Sequence, residues 1–212
     1  MAQRTIHYLF GEKIAEQVTV TDRKRFLLGS ILPDAMDADD RDTSHFKVRT
    51  ATHVYLDFEA FRERYAELIR KDDLYFGYYM HLVEDAFYRV FIYQDRFTMP
   101  RTREEIALLH NDYHILNSYI IQKYAPRNIL AADHFPEQEV IDGIGTFSVR
   151  ESLYKLSAEF AEQTQGTTVF LTEQMVDEFM QTYLSPIIEE AKQVKRGTSA
   201  LRGGDYTWQR RR

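Results

Sequence analysis

The chain has 212 residues, enough to bury roughly 70% of the surface its unfolded form would expose, and it reads as one domain. A net charge of −6 excludes a basic nucleic-acid surface as its main feature. The absence of cysteine excludes a disulfide framework and suits a reducing cytoplasm, while 14 Tyr and 14 Phe supply rings for the interior.

Ile6, Leu9, Phe10, Ile14 and Val18 recur at helical spacing and predict a first amphipathic helix. Thr21-Asp22 opens a second through Ile31, and Pro33 stops it. The run PDAMDADDRDTS, from Pro33 to Ser44, predicts an acidic loop too long for a tight turn. Its aspartates Asp37, Asp39, Asp40 and Asp42 lack the Gly and Glu that a calcium-binding EF-hand loop requires, so they read as solvated. Asp57 caps a third helix carrying Phe58, Phe61, Tyr65, Leu68 and Ile69. Asp72-Asp73 cap a fourth, at about 74–93, whose apolar residues leave no broad polar face; such a helix is enclosed by others. Thr102 and Glu105 form a capping-box signature for a helix reaching about Tyr124. An irregular region with Pro136, Gly143 and Gly145 precedes a helix at about 149–163, and Thr172 caps a last one that Pro186 can kink. No segment reaches the ~20 apolar residues of a membrane span. The expected fold is all-α: a single domain of about seven helices over residues 1–197, followed by a flexible basic tail over 198–212 that holds Trp208.

The enclosed helix contains GYYMHLVEDAFYR, and with it His81, Glu84, Asp85 and Arg89. Buried ionisable groups are costly unless paired or bound to a metal. His81 and Asp85, four residues apart, project the same way and can chelate one cation; the same spacing fits a simple His–Asp hydrogen bond. His7 on the inner face of the first helix, Asp34 after Pro33 and His45 at the end of the acidic loop add nitrogen and oxygen donors. That set suits zinc or a similar divalent ion with an open position for water. Arg89 is expected either to neutralise Glu84 or Asp85, or to bind a substrate phosphate oxygen. His53 and His134 read as surface residues.

In order, TIHYLFG (His7), GSILPDA (Asp34), TSHF (His45) and YMHLVEDA (His81, Asp85) resemble the motifs of the zinc-dependent phospholipase C family, which shares its helical fold with the fungal single-strand nucleases. The resemblance spans about the first 90 residues. It implies a phospholipase C-like helical fold and one or two zinc ions, with manganese or iron as other candidates, held by His7, Asp34, His45, His81 and Asp85. It also implies that Asp34 serves as general base or ligand. The chain departs from the family in beginning MAQRTI, without the N-terminal Trp ligand of the secreted lipases, and in having LLHNDYHILN where the family has H-x-x-x-E. His110, Asp112 and His114 of that stretch are therefore additional candidate ligands. The expected function is metal-dependent hydrolysis of a phosphate ester, on a small-molecule or lipid substrate and not on nucleic acid. The alternative is a binding or scaffold module that keeps a structural metal site.

Overall fold

The computed structural model describes residues 3–36, 40–93, 102–131 and 134–209. Nine α-helices dominate these residues: α1 (Arg4–Ala15), α2 (Arg23–Ile31), α3 (Arg41–Ser44), α4 (Phe58–Arg64), α5 (Ala66–Lys71), α6 (Asp73–Tyr93), α7 (Arg103–Tyr124), α8 (Val149–Ala161) and α9 (Glu173–Arg196). The capping residues act as the sequence predicts. Asp22 accepts from Arg25 N, Asp57 from Ala60 N, and Thr102 and Glu105 complete a capping box.

Helix α6 is the axis of the molecule, with every residue buried except Tyr75, Val90 and Tyr93. Helix α2 lies against it at backbone contact. A methyl carbon added at Gly29 would sit 2.1 Å from the Leu74 carbonyl oxygen, and one at Gly77 would sit 2.0 Å from the Phe26 carbonyl oxygen. Rings fill the remaining faces of α6. Phe76 meets Phe26 at 4.8 Å, Tyr78 stacks on Phe61 at 4.7 Å, and Tyr88 meets Phe179 edge-on at 5.1 Å.

The domain is mostly helical but not all-α. Strands β1 (Lys47–Arg49) and β2 (His53–Leu56) form an antiparallel pair, β3 (Gln138–Ile141) and β4 (Gly145–Ser148) form a hairpin, and β5 (Trp208–Gln209) adds to β2. Runs of two to four residues are too short to display an alternating pattern, which is why helical periodicity alone misses them. The β3–β4 turn uses Gly143 at φ 74° and Gly145 at φ 146°, backbone that side-chain-bearing residues rarely adopt. The expected third helix is broken at Tyr65 into α4 and α5, and its Oη donates to the Asp142 carbonyl at 2.5 Å. Of the acidic run, Asp37 and Asp39 lie outside the described residues, while Asp42 pairs with Lys47 at 3.0 Å and with Arg49. Among the described residues no helix is long and apolar enough to cross a membrane.

The expectation of a flexible tail over 198–212 is corrected through Gln209. Arg62 donates to Ser199 Oγ at 2.5 Å and to the Leu201 carbonyl at 2.8 Å, and Ser199 in turn donates to buried Glu190 at 2.5 Å. The Tyr206 ring lies 4.5 Å from Phe87, and Trp208 pairs with Val54 across the β2–β5 ladder. Gly203 lets the chain cross strand β2 so closely that a Cβ there would meet the Leu56 carbonyl oxygen at 2.1 Å. The tail gave no sign of this because, apart from Glu190 on α9, the docking groups Arg62, Phe87, Val54 and Leu56 lie more than a hundred residues upstream. Truncation after Gly197 should lower Tm by roughly 10 °C, since it uncovers Phe87 and strands Glu190 and Arg62. A thermal melt of the truncated chain checks this.

Candidate metal centre

Four short segments bring the candidate ligands to one place. Helix α1 carries His7. Helix α2 ends at Ile31, and the 3-10 turn Leu32–Ala35 then presents Asp34. Ser44, at the end of α3, donates to the Pro33 carbonyl at 3.0 Å, and Tyr78 of α6 donates to the Ser44 carbonyl at 2.5 Å. His45 is thereby fixed over α6, where His81 stands. All four groups are buried, with exposures of 2% for His7, 8% for Asp34, 2% for His45 and 1% for His81.

The hydrogen bonds of the imidazoles fix their tautomers. His81 Nδ1 lies 2.8 Å from the Ser30 carbonyl, one of the unpaired acceptors of the last turn of α2. A carbonyl only accepts, so the proton sits on Nδ1 and Nε2 carries a lone pair. His45 Nδ1 lies 3.0 Å from the Arg41 carbonyl and 2.9 Å from Ser44 Oγ, whose own proton serves carbonyl oxygens. His45 Nε2 is therefore a second lone pair. These two Nε2 atoms face each other at 3.3 Å, and His45 Nε2 faces Asp34 Oδ1 at 3.4 Å. His7 Nε2 lies 3.8 Å from Asp34 Oδ2, and neither His7 Nε2 nor Asp34 Oδ1 has a hydrogen-bond partner among the described residues.

Acceptors facing one another in a buried space are mutually repulsive unless a cation lies between them. Zinc bonds of about 2.0–2.1 Å to tetrahedral nitrogen and oxygen ligands would place neighbouring donor atoms about 3.3–3.4 Å apart. The 3.3 and 3.4 Å separations of His45 from His81 and Asp34 fit, that of His7 from Asp34 is longer at 3.8 Å, and ligand atoms of His7, Asp34 and His81 all lie within 4.8 Å of one another, a group that does not include His45. The residues present therefore suit a divalent ion. Glu84 adds an outer contact, its Oε2 touching His7 Nδ1. A carboxyl group there sets the ring so that Nε2 faces the centre.

Protonation is governed by burial. It pushes His7 down to about 4 and His81 well below the usual imidazole range, so both are neutral at pH 7. Burial, with the charges of Asp85 and Asp34, pushes Glu84 well above the carboxylate range. Burial would raise Asp34 too, but its carboxyl falls well below its ordinary value when positive charge sits at the His45 contact and the neighbouring imidazoles, the place a cation would take.

These shifts set a pH dependence for the metal-free protein. The folded chain holds a proton on Glu84, whose carboxyl is raised, and refuses one at His7, whose imidazole is lowered, so these two contributions act in opposite directions. His81 has no such counterpart: below about 6.5 the unfolded chain gains a proton that the folded one refuses, so stability falls as pH drops. In chelator, Tm should be lower at pH 5 than at pH 7. A flat Tm would contradict a buried neutral His81.

Other expected site residues have different partners. Asp85, expected as a ligand, accepts from Arg89 Nε at 2.8 Å. Burial would raise its carboxyl, but Arg89 overrides this and keeps it ionised. Arg89 takes the neutralising role of the two expected, and its guanidinium lies 5.1 Å from the Trp208 ring centre. It is 6% exposed and does not line the cavity beside Asp34. Asp112 accepts from the backbone N–H groups of Val169, Phe170 and Leu171 at 2.9, 2.6 and 3.0 Å, which fixes that loop. His114 pairs with Glu162, and His110 stacks beside Tyr113 with ring centres 6.3 Å apart. These three expected ligands are thus engaged elsewhere, because α7 directs its buried face to the 169–171 loop and α8.

Sequence reasoning did not assign Glu84 or the Ser30 carbonyl to the centre. Glu84 stands three residues after His81, so helical spacing carried a signal for it as good as that for Asp85. It also missed a cavity of about 230 Å³ beside Asp34, lined by Arg4, Arg41, Ser152 and Lys155 among others. No family model, curated protein or solved structure matches the chain. The reading of this centre therefore rests on its geometry.

Proposed function

We propose that the protein is a metal-dependent hydrolase of phosphate esters, with a divalent ion, zinc foremost, held by His7, His45 and His81 beside Asp34. The observation that carries the metal reading is the set of buried lone pairs facing one another, with the His45 and His81 rings held at Nδ1 by backbone carbonyls and His7 Nδ1 in contact with Glu84. A bound divalent ion supplies an acidified water and offsets charge on the phosphoryl oxygens. The chain's own groups do the rest. Glu84 stands against Nδ1 of His7, and the Ser30 and Arg41 carbonyls hold the other two rings, so the ligand geometry is set in advance. With the three imidazoles as ligands and the fourth position left to water, Asp34, which also lines the cavity, can accept the proton of an attacking water and return it to the departing alkoxide. In balance, a bond from the water oxygen to phosphorus forms, the bond from phosphorus to the alcohol oxygen breaks, and the products are an alcohol and a phosphate. The motif order that resembles the phospholipase C family supports the same reading.

One observation favours a second reading, a structural metal in a scaffold: the four residues of the centre are at most 8% exposed. Metal analysis of untagged protein, followed by assays on p-nitrophenyl phosphate and its diester, separates the two. Bound metal with chelator-sensitive hydrolysis supports the enzyme. Bound metal with no hydrolysis of either ester leaves the scaffold, and no bound metal removes both.

A further inference from the structure

The cavity beside Asp34 has a basic character that the metal centre does not need. Arg4, Arg41 and Lys155 line it against two carboxylates, Asp34 and Glu151, and a divalent ion would tip the balance further towards positive. Unmatched donors line it as well. Ser152 is 1% exposed and its buried hydroxyl oxygen has no hydrogen-bond partner among the described residues, and the same holds for Arg4 Nε, although Glu159 holds Arg4 Nη1. Lys155 is half exposed and bound to Glu151 at 2.5 Å, an i,i+4 surface pair that is cheaply exchanged for another acceptor.

Buried donors without acceptors, next to cations, call for a ligand that is all acceptor and negatively charged. We infer that this cavity is an anion subsite that receives the dianionic phosphate of a small phosphomonoester, set beside Asp34 by Arg4, Arg41, Ser152 and Lys155. The inference rests on the hydrolase reading and narrows its substrate. A volume of about 230 Å³ is enough for a phosphate with a small alcohol. The cationic lining also disfavours an alcohol that carries an ammonium group, such as a choline ester.

Calorimetry with inorganic phosphate tests this on metal-loaded protein, comparing wild type with Arg41→Met, Lys155→Met and the double variant, with metal content measured in each. Phosphate should bind wild type, weaken about tenfold in each single variant and about a hundredfold in the double, at unchanged metal content. In parallel, kcat/KM should fall for p-nitrophenyl phosphate, and p-nitrophenylphosphorylcholine should be the poorer substrate of wild type. Phosphate binding that survives in the double variant, failure of wild type to bind phosphate, or preference for the choline ester overturns the inference while leaving the metal reading intact. Should the protein bind no metal, the hydrolase reading falls. The same titration on that protein then decides the subsite alone: phosphate binding lost in the double variant upholds it, and binding unaffected or absent sinks it.

Discussion

Replacing His81 with alanine should abolish metal binding and, with it, any hydrolysis. Its Nε2 is the lone pair 3.3 Å from that of His45, at the middle of the donor set. The sharpest readout is chelator sensitivity. At an ion concentration about a thousandfold above Kd, binding adds about 4 kcal/mol of stability, so chelation should lower the wild-type Tm by roughly 10 °C. His81→Ala should melt at the same temperature with and without chelator. Glu84→Gln keeps the shape of the outer contact but cannot ionise when an ion binds, and should weaken metal affinity about 10- to 100-fold without abolishing it. Asp112→Asn is the contrast. It weakens the clasp on the backbone of Val169, Phe170 and Leu171, so Tm should fall while metal content stays at the wild-type value. Equal loss of metal in the Asp112 variant would place that residue back in the centre.

Gly77→Ala should cost about 3 kcal/mol or more, a fall in Tm of roughly 10 °C, although alanine is the better helix former. Its Cβ would lie 2.0 Å from the Phe26 carbonyl oxygen and 2.8 Å from Ser30 N, backbone atoms that cannot rotate away. Helices α2 and α6 would have to separate. The effect should reach the metal centre, because the Ser30 carbonyl that fixes the His81 tautomer belongs to the same helix contact. Reduced metal affinity together with reduced Tm is expected. A variant as stable as wild type would show that the helices do not touch at this point.

The sequence by itself determined the enclosed helix and the caps of its neighbours, because those features are local. An apolar run without a polar face can only be buried, and Thr102 with Glu105 needs nothing beyond one helical turn. It also singled out His7, Asp34, His45 and His81 as residues of one kind of chemistry. Which ionisable group on α6 turns to which partner was left to the tertiary structure. Glu84 and Asp85 follow His81 by three and four residues, and helical spacing places both beside it. Only the packing of α1 against α6 directs Glu84 to His7, while Arg89 claims Asp85. The tail posed the same problem at longer range. Its glycines and arginines suggest mobility when read locally, yet Gly203 is what allows the close crossing at Leu56, and the partners of Ser199 and Tyr206 lie on α4, α6 and α9. Short strands escape for a related reason: two to four residues carry too little pattern, and their hydrogen bonds depend on a partner chosen by the fold. Local preferences are written in neighbouring residues; the pairing of distant ones depends on how the helices pack.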